Sequence, residues 1–165
     1  MLAQVSSRIE FAITPGPTST VIAIEPVIDG VPLTERVQAY QRECGWDDRG
    51  GYFGIVPAYF KHGDARAYWL DAEESQPGGF FEDAGKIPVL DCTCGEWGCS
   101  PFVARVRAAQ DVVTWTDFAN FSISTFESDR HYSKVGPFVF RRDEYEAAVD
   151  AIAAAWARGS YPVPV

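Results

Sequence analysis

Two runs near the middle of the chain alternate apolar and polar residues with a period of two. Phe102 to Arg107, FVARVR, sets Phe102, Ala104 and Val106 against Val103, Arg105 and Arg107. AAQD follows, and Val112 to Phe118, VVTWTDF, returns. Successive side chains of a strand point to opposite faces, so the pattern predicts an antiparallel hairpin with a buried face. Such a hairpin must be covered by further strands or by helices, and the rest of the chain supplies both.

Arg8 to Thr14, RIEFAIT, places Ile9, Phe11 and Ile13 on one strand face. PGPTS turns, and Thr20 to Ile28, TVIAIEPVI, forms a second strand. Pro26 cannot donate to a ladder, which predicts an edge or a strand end there. Asp29-Gly30 is a turn signal. ARAYWLD (65–71) reads as a short strand, KIPVL (86–90) as a strand, and Phe138–Phe140 as an edge strand. ESDRHYSKVGP reads as a loop.

Helical spacing occurs twice. Leu33, Val37, Tyr40 and Cys44 form one stripe between Pro32 and Gly45, which turns Cys44 inward. Tyr145, Ala148, Val149, Ile152 and Trp156 form the other, with Asp143 and Glu146 spaced as a capping box and Gly159 as the stop. The expected fold is α+β: an antiparallel sheet built from hairpins, with two main helices at about 32–44 and 143–158 packed on one face, in one domain spanning 1–165.

DCTCGEWGCSP, Asp91 to Pro101, holds three of the chain's four cysteines in one turn. Four chemical fates are open to it. Cys92, Cys94 and Cys99 are candidate ligands of a zinc ion: thiolates bind zinc tetrahedrally, and in a C-x-C segment that continues a strand both outer sulfurs share a face. The fourth ligand would come from His62, His131, Asp91 or Glu96; Cys44 is a poorer candidate. Cys94 and Cys99 alone, flanking GEWG, are a candidate redox pair. A nucleophilic cysteine needs a depressed thiol pKa, which Asp91 and Glu96 oppose. The bland alternative is burial, since cysteine packs as a small hydrophobe and three of them at a sheet end require no chemistry.

CGEWGCSPFVARV, VTWTDF and GPFVFRRDEYEAAV together resemble a group of bacterial proteins of uncharacterised function. That group carries a C-G-E-x-G-C-W-P turn before a strand, a T-W-x-x-F strand and a G-P-F-x-F…Y-E-x-A helix start. The resemblance spans Asp91 to Ala148, and more weakly GYFGIVPAYF (51–60). The turn maps onto Cys94, Gly95, Glu96, Gly98 and Cys99. Ser100 stands where the group tends to have Trp, and Arg141 where it tends to have Asp, which moves the expected cap to Asp143. The resemblance implies the fold and a distinct turn and brings no activity. Cys92 is less typical of the motif than Cys94 and Cys99, which weighs against a three-thiolate clasp.

The net charge is 14 − 23 = −9. An acidic surface repels phosphate backbones and anionic membranes, so neither nucleic acid nor membrane is the expected partner, whereas a basic protein is attracted. MLAQVSSRIE lacks the basic start and apolar run of a signal peptide, and the reading is cytoplasmic. Trp46, Tyr52, Phe53, Tyr59 and Phe60, rimmed by Asp47 and Asp48, form a second candidate site, because interface cores favour Trp and Tyr. The glycine-rich phosphate loops, nucleophile elbow and zinc-protease helix motif are absent. The expected function is a non-enzymatic protein-binding module, immunity- or inhibitor-like, for a basic partner. The alternative is a zinc-binding or thiol-redox protein acting through Cys92, Cys94 and Cys99.

Overall fold

The computed structural model describes residues 6–18, 21–46, 51–59, 64–72, 86–93, 100–122 and 127–159. The central hairpin forms as expected: β6 (Phe102–Ala108) pairs antiparallel with β7 (Val112–Ser122). On its other side β6 pairs with β5 (Lys86–Cys92), and β5 with the two-residue β4 (Tyr52–Phe53). The outer edge of β7 is shared. Its first half pairs with β9 (Phe138–Arg141) and its second half with β8 (Glu127–His131). The start of ESDRHYSKVGP is therefore a strand, because long-range pairing outweighs weak local propensity.

β1 (Ile9–Pro15), β2 (Ile22–Ile28) and β3 (Val31–Pro32) make a second antiparallel sheet. The β2–β3 turn has Asp29 at φ 51° and Gly30 at φ 78°, the left-handed pair that a tight hairpin needs. The Asp29 carboxylate accepts the Arg8 N–H at 2.8 Å. Among the described residues two single-residue bridges join the sheets. Ser7, just ahead of β1, pairs parallel with Phe140, and Ile24 of β2 exchanges hydrogen bonds of 2.7 and 2.9 Å with Ile55. Backbone pairing thus runs from β9 through β1, β2, the Ile55 segment, β5, β6 and β7 back to β9. Pro26 shares Ile24's side of β2 and falls between the Ile55 bridge and β3, where no ladder bond is required of it.

Gly54 makes the second bridge possible. A Cβ there would lie 2.6 Å from the carbonyl carbon and oxygen of Ile24. Backbone cannot yield as a side-chain tip does, so Gly54→Ala should cost about 2 kcal/mol, read as a lower urea midpoint at unchanged slope. No loss of stability would mean that the sheets tolerate separation at this point.

Among the described residues four α-helices complete the fold: α1 (Leu33–Glu43), α2 (Ala65–Trp69), α3 (Arg142–Ala151) and α4 (Ala153–Gly159). ARAYWLD is thus helical at its start. Asp64 caps it by accepting the Ala67 N–H at 2.9 Å. The expected capping box at Asp143 does not form. Arg141 is the N-cap, and Asp143 pairs with the Arg141 guanidinium at 2.8 Å. The long C-terminal helix breaks at Ile152, which no local residue signals, and both halves reach the core through Val149 and Trp156.

One apolar cluster gathers residues from both sheets and all four helices. Ile9 and Phe11 enter it as expected, but Ile13 is 53% exposed. Val103, Ala119 and Phe121 form a small second cluster; Val103 alternates with Phe102 and Ala104 and so takes the other face of β6. Among the described residues no helix is long and apolar enough to cross a membrane.

Candidate functional site

The end of α1 fixes the first member of the site. Gly45, at φ 70°, donates its N–H to Arg42 O at 3.1 Å, and Trp46 donates to Gln41 O at 2.8 Å. These are the two bonds of a Schellman stop, and its usual apolar contact is present: the Trp46 ring packs edge-on against Tyr40 at 5.6 Å. The stop swings Trp46 back over the body of the domain. Tyr132 lies 5.3 Å from Trp46 and 5.4 Å from Tyr40, and the Arg130 guanidinium sits 4.8 Å above the Trp46 ring.

The stripe of α1 ends differently from its sequence pattern. Gln41, one turn after Val37, is 8% exposed, whereas Cys44 is exposed at the C-cap. Cys44 therefore does not face the core. Buried Gln41 needs a partner, and its Nε2 donates to the Tyr132 hydroxyl at 3.1 Å.

From Tyr132 a hydrogen-bonded chain crosses the sheet end. The Tyr52 hydroxyl of β4 bonds to that of Tyr132. Asn120 of β7 donates from Nδ2 to the Tyr52 hydroxyl at 2.6 Å and to Ser100 Oγ at 2.8 Å. Burial first, then the neighbouring Tyr132, drives the Tyr52 phenol well above its ordinary range. It stays protonated and serves as a donor. The chain holds α1, β4, β7 and the residue following Cys99 in one polar seam.

Two faces of β5 meet this region differently. Cys92 is half-buried and pairs with Tyr52 across the ladder, whereas Asp91 pairs with Phe53. Neighbours on a strand point to opposite sides. Asp91 is 3% exposed and accepts the Val56 N–H. Its Oδ2 has no hydrogen-bond partner among the described residues. Burial pushes the carboxyl up to about 7, against the weaker pull of the Val56 bond. Asp91 also pushes up the Tyr68 phenol, itself raised mainly by burial, and that phenol donates to Pro88 O at 2.7 Å. Asp91 thus leaves the side of β5 that carries Cys92.

Of the sequence candidates, Trp46, Tyr52 and Phe53 are half-buried, and the first two pack on the core. Tyr59 closes the 3-10 turn Pro57–Tyr59, and its side chain lies outside the described residues. Cys94, Cys99, Glu96, His62, Phe60, Asp47 and Asp48 also lie outside them. Among the described residues no three His, Cys, Asp or Glu side chains converge as a metal-holding group. Sequence reasoning missed Gln41, Asn120 and Tyr132. The only signal for them was polar residues interrupting otherwise apolar patterns. Compared with protein-family models, curated proteins and solved structures, the chain matches none.

Proposed function

We propose that this chain is a non-enzymatic protein-binding module of the immunity or inhibitor kind, holding a basic partner at the sheet end that carries Trp46, Tyr52 and Phe53. The observation that carries the reading is the fixing of Trp46: a helix stop, two tyrosine rings and an arginine hold it half-buried in one place. An aromatic anchor ordered before binding costs little entropy when a partner arrives. Anchors of this type carry most of an interface's energy. The net charge of −9 favours a cationic partner and speeds its approach.

The test is capture on the immobilised protein from native lysate, with salt raised stepwise and the captured protein identified by mass spectrometry. Capture should weaken with salt. Trp46→Ala should weaken it at least tenfold, which is about 1.4 kcal/mol. Salt-insensitive capture, or capture indifferent to Trp46→Ala, overturns the reading.

A second reading is favoured by the position of Cys92, half-buried where β5 hands over to the turn. There Cys92, Cys94 and Cys99 would hold zinc, or Cys94 and Cys99 would cycle between dithiol and disulfide. Elemental analysis of freshly purified, reduced protein tests the first: a full equivalent of zinc supports it, and a small fraction of one removes it.

A further inference from the structure

We propose that the cleft beside the β7 bulge is a pocket for a basic side chain, lysine or arginine, of the protein partner. The inference rests on the binding reading above and names the contact that would read the partner's charge. The cleft encloses about 380 Å³, and its walls include Asp117, Phe118, His131, Ser133, Gly136 and Pro137. Tyr132, which packs on Trp46, also lines it, so cleft and aromatic anchor share a wall.

A bulge builds this cleft. Arg105 pairs with Thr116 and Val103 with Ala119, so β7 spends one residue more than β6 over this stretch. Bulges bend a strand and re-aim its side chains. Asp117 takes the left-handed conformation at φ 54°, which aspartate tolerates better than most non-glycine residues because its short polar side chain bonds locally. Those local bonds are present. Oδ2 accepts Arg105 Nε at 2.9 Å and the Thr116 hydroxyl at 3.3 Å. The Arg105 hydrogen bond is the main cause that holds the carboxyl below its ordinary range.

Both of those bonds use one oxygen. Oδ1 takes no hydrogen bond among the described residues, and the Asp117 side chain is 58% exposed where that of Arg105 is 16% exposed. The carboxylate therefore offers a free acceptor to the outside with its counter-ion behind it. The His131 ring, exposed beside it, makes no hydrogen bond among the described residues and adds an acceptor nitrogen when neutral. The Ser133 hydroxyl shares a 3.3 Å bond with Tyr40 and can accept another. Acceptors of this kind match an ammonium or guanidinium group, which has only donors. Pro137 and the Phe118 ring, which approaches so closely that a Cβ on Gly136 would meet it at 2.5 Å, give the apolar lining that an alkyl stem requires. An anionic guest would meet Asp117 head-on.

The experiment titrates isotope-labelled full-length protein with N-acetyl-arginine amide and N-acetyl-lysine amide, with N-acetyl-norleucine amide as the uncharged isostere. Saturable shifts of the His131 and Gly136 amides are expected with the two basic probes and not with norleucine. Asp117→Asn should weaken the basic probes at least fivefold. Asparagine tolerates the left-handed backbone and keeps an oxygen for Arg105. Equal response to norleucine, no saturable shift, or affinity unchanged in Asp117→Asn overturns the proposal. If that variant misfolds, the norleucine comparison on the unaltered protein still decides it. Probe binding without any captured protein would sustain the pocket and sink the binding-module reading. Salt-sensitive capture without probe binding would do the reverse.

Discussion

Between pH 5 and pH 8 the protein is expected to lose about 3 kcal/mol of stability, and Asp91→Asn is expected to flatten that slope. The Asp91 carboxyl sits at about 7 in the folded chain against an ordinary 3.8. An acid whose folded value is raised binds its proton more tightly when folded. Stability begins to fall as pH passes the unfolded value and goes on falling until the folded group ionises. The loss is half-way through its last unit at about 7 and nearly complete one unit above it. Asp29 and Asp117 are shifted the other way, by the Arg8 backbone N–H and the Arg105 side chain respectively. Their stabilisation is present above 3.8 and is lost only as pH falls below it, so they leave the window between pH 5 and pH 8 untouched. Urea denaturation of both proteins at the two pH values measures the difference. A wild-type protein equally stable at both, or an asparagine variant with the same slope, would show that water reaches this carboxylate.

The loss would fall on a particular place. Asp91 stands where β4 joins β5, one residue before Cys92 and opposite half-buried Phe53. Ionising it there strains the strand that leads into the cysteine turn. Cys92 and Thr93 at the end of that strand are half-buried and exposed, whereas Trp69 and Trp115 are fully buried. Local opening is governed by such differences in buried contact, so amide exchange at Cys92 and Thr93 should accelerate with pH beyond the intrinsic rate.

The sequence is most legible where one physical rule acts alone. The period of β6 and β7 announces the hairpin, though not the bulge beside Asp117, and the Asp29-Gly30 turn and the Gly45 stop sit where backbone sterics demand them. Reading fails where distant partners decide. Nothing within ESDRH announces a strand, since its pairing partner is the far half of β7. Ile13 continues a faultless alternation and still ends outside, because the pattern cannot say where the core stops. Cys44 and Gln41 exchange their expected places because a helix stripe is wide, and the partner that draws glutamine inward is Tyr132, 91 positions away. The candidate site is less legible than the fold for the same reason. The seam from Gln41 to Ser100 is assembled from α1, β4 and β7 and from the residues after β8, and no segment carries more than a fragment of it.

Truncating Trp69 to alanine should cost about 4 kcal/mol, while Trp69→Phe should cost about 1 kcal/mol or less. Trp69 is fully buried and lies at the centre of a ring lattice, 4.8 Å from Phe11, 5.0 Å from Tyr68 and stacked at 5.8 Å on Trp115. Alanine would leave a void with rings on every side that cannot collapse without breaking one another's contacts. Phenylalanine keeps most of those contacts and also removes a liability, because the Trp69 indole N–H is buried without a hydrogen-bond partner among the described residues. Trp115 provides the contrast. Its Nε1 donates to the Tyr145 hydroxyl at 3.1 Å, and that hydroxyl donates to Trp69 O at 2.8 Å, tying α3 to the end of α2. Trp115→Phe leaves the Tyr145 oxygen without its donor and should cost about 1–2 kcal/mol more than Trp69→Phe. Urea midpoints of the three variants fix the order. If Trp69→Phe proves as costly as Trp69→Ala, the indole N–H has a partner after all, and ring packing is not what holds α2 in the core.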